Sequence, residues 1–81
     1  MTASILLVED DLFLQQGLRE MLAREGYVSS VAGTVAAARR MLPERAYQLV
    51  ILDVSLPDGD GVSLCREWRG EGVQTPILFL T

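Results

Sequence analysis

Four carboxylates stand at the ends of two short apolar runs. Ile5-Leu6-Leu7-Val8 leads into Glu9-Asp10-Asp11, and Leu49-Val50-Ile51-Leu52 leads into Asp53. Apolar runs this short and without alternation suit strands buried on both faces, as in a parallel sheet. In open parallel α/β sheets chemistry collects outside the carboxyl ends of the strands, so both acidic ends fall at one edge. Carboxylates brought that close repel one another, and a cation is what makes such a pocket tenable. Ligation by oxygen alone selects a hard ion, and Mg²⁺ is the expectation. The chain has no histidine, which excludes His-ligated zinc and His-based proton transfer within it.

The elements that must position these acids follow from the rest of the pattern. A first strand is expected over about Ser4 to Val8 and a first helix over about Asp11 to Arg24. Leu14, Leu18, Met21 and Leu22 give that helix one apolar stripe, with Asp11 as its N-cap and Gly26 as its left-handed stop. A second strand is expected over Tyr27 to Val31. A second helix follows, capped by Thr34, faced by Val35, Ala38, Met41 and Leu42, and ended by Pro43. Leu49 to Asp53 forms the third strand. Ser55 to Gly61 reads as a loop of turn formers, and a third helix runs from Gly61 to Arg69, burying Leu64, Cys65 and Trp68. Pro76 to Leu80 is the fourth strand. The order βαβαβαβ demands parallel strands joined by right-handed crossovers.

Bulk properties narrow the function. With 81 residues the chain is at most one domain, and an apolar share of 49% is ample for a core. A net charge of -4 argues against this segment gripping nucleic acid directly. Glu9, Asp10, Asp11, Asp53, Asp58 and Asp60 supply six of the eleven acids, all at or just past strand ends. The single cysteine, Cys65, forms no intrachain disulfide and fits a reducing compartment. No secretory signal and no stretch approaching the ~20 apolar residues of a membrane helix occurs, so a cytoplasmic location and no membrane partner are expected.

At this point the residues resemble a known family, the receiver domain of bacterial two-component response regulators. The matching pieces are Ile5 to Asp11, Leu49 to Asp53, Leu56-Pro57-Asp58-Gly59-Asp60-Gly61, and Thr75 to Thr81. The resemblance implies a doubly wound, flavodoxin-like sheet of order 2-1-3-4. It implies that Asp53 is the phosphoacceptor, that Asp10 binds Mg²⁺ directly and that Glu9 acts mainly through water. Ser55 would offer its backbone carbonyl to the metal, and the Thr81 hydroxyl would hydrogen-bond the phosphoryl group and report its presence. The partners implied are a histidine kinase or phosphotransfer protein as donor and an output domain. The residues from Leu56 to Arg69 lean toward regulators whose output is a winged-helix DNA binder.

The chemistry of the residues is compatible with that role. A carboxylate attacks an anionic phosphoryl group poorly, and a bound cation screens both partners. Measured against the family, residues 1–81 read as the N-terminal two-thirds of one receiver, without the fourth helix, fifth strand, fifth helix, paired lysine and aromatic switch residue. All seven cations are arginines. The fourth strand is then expected to be an open apolar edge that pairs with another copy or with further chain. The expected activity is signalling, not turnover.

Other assignments weigh against each acid. Asp11 reads as a helix cap before a ligand, and Asp58 and Asp60 as turn formers and solvated charges. Cys65 reads as a small packing residue and Arg39-Arg40 as a solvated helix face. Two alternative functions stand beside the receiver. One is a phosphohydrolase working through an aspartyl phosphate, which needs a second aspartate where this chain has Ser55. The other is an interaction module indifferent to phosphate.

Overall fold

The computed structural model describes residues 2–80 of the chain. The elements are β1 (Ser4–Val8), α1 (Leu12–Arg24), β2 (Val28–Ala32), α2 (Val35–Met41), β3 (Leu49–Asp53), β4 (Ser55–Leu56), β5 (Gly59–Asp60), α3 (Gly61–Gly70) and β6 (Ile77–Leu80), with a 3₁₀ turn at Leu42–Glu44. Four strands form one parallel sheet in the order β2-β1-β3-β6, which is the expected 2-1-3-4. β1 and β3 are neighbours and run parallel, so their carboxyl ends sit side by side. No helix among the described residues is long and apolar enough to cross a membrane.

Two apolar layers flank the sheet. Leu6, Val8, Val50 and Leu52 point toward α2 and α3, where Val35, Ala38, Leu42, Leu64 and Trp68 meet them. Ile5, Leu7 and Ile51 point the other way, toward Leu18 and Leu22 of α1. The strand residues alternate between these layers, so continuous apolar runs satisfy both faces at once. Cys65 is partly buried against the first layer.

The expected caps are where the residue types place them. Asp11 accepts the Phe13 and Leu14 N–H groups at 2.9 and 3.1 Å, and Thr34 accepts the Ala37 N–H at 3.0 Å. Gly26 and Gly72 take φ of +87°, a left-handed turn that favours glycine. Arg69 donates to the Val73 and Thr75 carbonyls, both at 2.9 Å, and so fixes the entry into β6.

Three expectations need correction. Strand β2 is shifted one residue onward, because the Tyr27 N–H bonds back to the Leu22 carbonyl at 2.9 Å and so closes α1 instead of joining the sheet. The stripe of α1 is only half used. Leu18 and Leu22 pack on the sheet, whereas Leu14 and Met21 are 51% and 54% exposed, because at 3.6 residues per turn they fall to one side of the Leu18–Leu22 line that faces the sheet. The Ser55–Gly61 segment is a short antiparallel ribbon in which Ser55 pairs with Asp60 and Leu56 with Gly59. Arg39 and Arg40 lie on an exposed helix face as expected, and Arg39 also makes a two-pronged bond to Glu67, 2.8 Å on each arm, linking α2 to α3.

Candidate functional site

Glu9, Asp10 and Asp53 meet at the carboxyl edge of the sheet. Val8 pairs with Leu52 in register, so the residues that follow each strand emerge together. One carboxylate oxygen from each of the three acids lies within 4.8 Å of the others. Burial differs sharply among them: Glu9 is buried, Asp53 half-buried and Asp10 exposed. The surrounding rim is formed by Asp11, Leu14, Ser55, Leu56 and Pro57.

Glu9 is held on several sides. Its N–H donates to the Ala32 carbonyl at 3.0 Å, its carbonyl accepts from the Gln15 side chain, and its carboxylate accepts the Asp11 N–H at 3.0 Å. Burial raises its carboxyl above the ordinary value. The Asp11 N–H works against that, and the neighbouring Asp53 and Asp10 carboxyls push it further up. A buried acid flanked by two others stores repulsion that a divalent cation would relieve. Three convergent carboxylate oxygens are the donor set that hard cations prefer, so the residues present fit Mg²⁺.

Asp53 is braced from behind. The Gly61 N–H donates to the Val54 carbonyl at 2.8 Å, and a methyl at Gly61 would lie 2.2 Å from the Asp53 carbonyl oxygen. Here glycine serves close approach. Ser55 is exposed beside Asp53, and its N–H makes a long 3.4 Å contact to the Asp53 carboxylate. Thr81, the expected phosphoryl-binding hydroxyl, lies outside the described residues.

The remaining acids are structural. Asp11 caps α1 and stays outside the three-acid cluster. Asp60 caps α3, accepting the Ser63 N–H at 2.8 Å and its hydroxyl at 2.9 Å. Asp58 reaches further: its two oxygens accept the Val35 and Ala36 N–H groups at 2.7 and 3.1 Å. Both carboxyls are held below their ordinary value, Asp58 by the Val35 and Ala36 N–H groups and Asp60 by the Ser63 N–H and hydroxyl. Gln15 and the inter-element role of Asp58 escaped the sequence reading. Neither carried a local signal, since the partners of Gln15 and Asp58 lie six or more residues away.

Comparison with known proteins agrees with this geometry. Residues 5–81 match the family model described as the response regulator receiver domain. The chain is 47% identical over 77 residues to the transcriptional regulatory protein PmrA of Pectobacterium parmentieri, covering 95% of this chain and 35% of that protein. It is 38% identical over 77 residues to the virulence transcriptional regulatory protein PhoP of Salmonella typhimurium, covering 95% and 34%. The chain thus spans about a third of the length of the curated relatives it matches. Among solved structures, the MaeR response regulator bound to beryllium trifluoride superposes with a TM-score of 0.92 at 32% identity, covering 99% of this chain and 67% of that one. The non-phosphorylated HemR receiver domain from Leptospira biflexa gives 0.90 at 39% identity, covering 99% and 64%. A parallel sheet with its acids at one edge and a family match along nearly its whole length place this chain in the response regulator receiver domain family of two-component systems.

Proposed function

We propose that this chain accepts a phosphoryl group on Asp53 in a Mg²⁺-dependent transfer from a partner histidine kinase or phosphotransfer protein. The observation that carries the reading is the convergence of Glu9, Asp10 and Asp53 within 4.8 Å at the sheet edge. Asp10, Asp53 and the Ser55 carbonyl would hold the ion, with Glu9 reaching it through water. When bound, the ion supplies positive charge between a carboxylate and a phosphoryl group that would otherwise repel.

The chain's own residues do the rest. An Asp53 carboxylate oxygen attacks phosphorus, the bond from phosphorus to the donor nitrogen breaks, and the electron pair leaves with the donor imidazole. The product is an acyl phosphate on Asp53. Gly61 and the Val54 carbonyl keep the Asp53 backbone in place, while the Thr81 hydroxyl is assigned the hydrogen bond to the bound phosphoryl group. Ser55 stands where a phosphohydrolase would need a general acid, and its hydroxyl is too weakly acidic to give up its proton to a leaving group, so the module signals and does not turn over. Its named relatives are transcriptional regulators, and a DNA-binding output is proposed for the pathway it serves. The open edge of β6 is proposed to pair with a second copy.

Beryllium trifluoride has the size and charge of a phosphoryl group and is bound by MaeR. Fluorine NMR of this chain with beryllium fluoride should show a bound resonance that needs Mg²⁺ and vanishes in Asp53→Asn. A bound resonance that survives in the variant would refute the assignment of Asp53.

A further inference from the structure

The segment from Val54 to Gly61 connects the proposed metal-binding backbone to a helix on the far side of the first apolar layer. Its base is fixed by the Gly61 N–H on the Val54 carbonyl at 2.8 Å. Its arms pair Ser55 with Asp60 and Leu56 with Gly59. Its tip is Pro57-Asp58, and there the carboxylate of Asp58 reaches 23 and 22 residues back to accept the Val35 and Ala36 N–H groups at 2.7 and 3.1 Å. Gly59 lies so close to α2 that a methyl on it would sit 3.2 Å from a Val35 side-chain carbon. Val35 is itself buried. The ribbon is therefore tied at both ends, with Ser55 between the ties.

We infer that Asp58 is a positioning residue: by docking the β4–β5 tip onto the start of α2, it holds the Ser55 backbone where the proposed Mg²⁺ site needs it. This rests on the metal-site reading above. Asp58 itself is outside the three-acid cluster, so it acts through the loop and not as a ligand. An acceptor that satisfies two helix-end N–H groups from a distant loop contributes to two elements at once, and an alanine there frees both. Thr34 caps the same helix from within, through the Ala37 N–H, and its hydroxyl makes no hydrogen bond to the ribbon among the described residues. That difference separates positioning from mere helix stability.

The test titrates Mg²⁺ calorimetrically into the full chain and its Asp58→Ala, Asp58→Asn and Thr34→Ala variants at a temperature where circular dichroism shows each folded. Amide hydrogen exchange of Leu56 and Gly59 is followed without metal. Asp58→Ala should weaken Mg²⁺ binding about ten-fold, the low end for groups that orient metal ligands, and speed exchange in the ribbon. Asp58→Asn, which keeps one acceptor oxygen, should fall between it and the parent, and it carries the test should the alanine variant not fold. Thr34→Ala should leave Mg²⁺ affinity within about two-fold, well inside that expected effect. Unchanged affinity in both Asp58 variants overturns this inference alone, as does an equal loss in Thr34→Ala. Absence of Mg²⁺ binding by the parent chain overturns the metal site and this inference together.

Discussion

Glu9 is the residue on which the electrostatics of the acidic edge turn. It is 2% exposed and its carboxyl is raised above the ordinary 4.5, first by burial and then by Asp53 and Asp10. A raised carboxyl favours the protonated form in the fold. Its contribution to stability is therefore complete below pH 4.5 and is lost as pH rises through the raised value. Without metal, Glu9→Gln should then raise the melting temperature at pH 7 by about 4–8 °C, which is what ~1 kcal/mol means for a domain of this size. The gap should close near pH 4.5, and Mg²⁺ should stabilise the parent more than the variant. Thermal melts with chelator and with Mg²⁺ check this, and a lower melting temperature for the metal-free variant at pH 7 contradicts it. Glu9 and Asp53 were legible because each directly ends an apolar run, and Asp10 because it stands next to Glu9. Asp58 was not, since its partners lie more than twenty residues away and no local pattern announces them.

Elements were legible where their signals are local. Asp11, Thr34 and Gly26 act within a few residues of themselves, and each does what its type suggests. Tyr27 escaped because its N–H had two claimants, the sheet and the end of α1, and only the packed structure decides between them. The β4–β5 ribbon escaped because two-residue strands have no period to detect. At this scale Gly61 joins α3 to the end of β3. Gly61→Ala would drive a methyl into the Asp53 carbonyl and should cost ~1–3 kcal/mol, as overpacking does. Denaturant unfolding followed by the buried Trp68 measures it, and a variant as stable as the parent would show that the two backbones have room to separate. The caps Asp58 and Asp60 set the acid limb of that stability. Their lowered carboxyls contribute above the ordinary 3.8, and the contribution is lost as pH falls through the lowered values.

Over the whole molecule, parallel pairing was legible from the alternation of strands and helices, because parallel strands need crossovers, whereas the order 2-1-3-4 followed from the resemblance to the family. What covers the sheet was not legible. Leu78 sits in register with Ile51 on the α1 side and is 54% exposed, and Leu14 and Met21 of α1 are exposed as well. Beside them β6 is an edge strand of the described sheet, in a run of nine uncharged residues from Val73 to Thr81. An apolar, uncharged edge is prone to pairing, and here a second copy would extend the sheet. Sedimentation should show association that grows with concentration and is reduced by at least several-fold in Leu78→Lys, since a charge placed on an edge blunts pairing. A concentration-independent monomer would contradict it.

Phosphorylation of Asp53 is the central claim, and intact mass after incubation with acetyl phosphate tests it most directly. The expected result is a single phosphoryl adduct that requires Mg²⁺ and is absent from Asp53→Asn. An adduct that forms equally without Mg²⁺, or that persists in Asp53→Asn, would contradict the account, as would a folded, Mg²⁺-loaded chain that takes up no phosphoryl group.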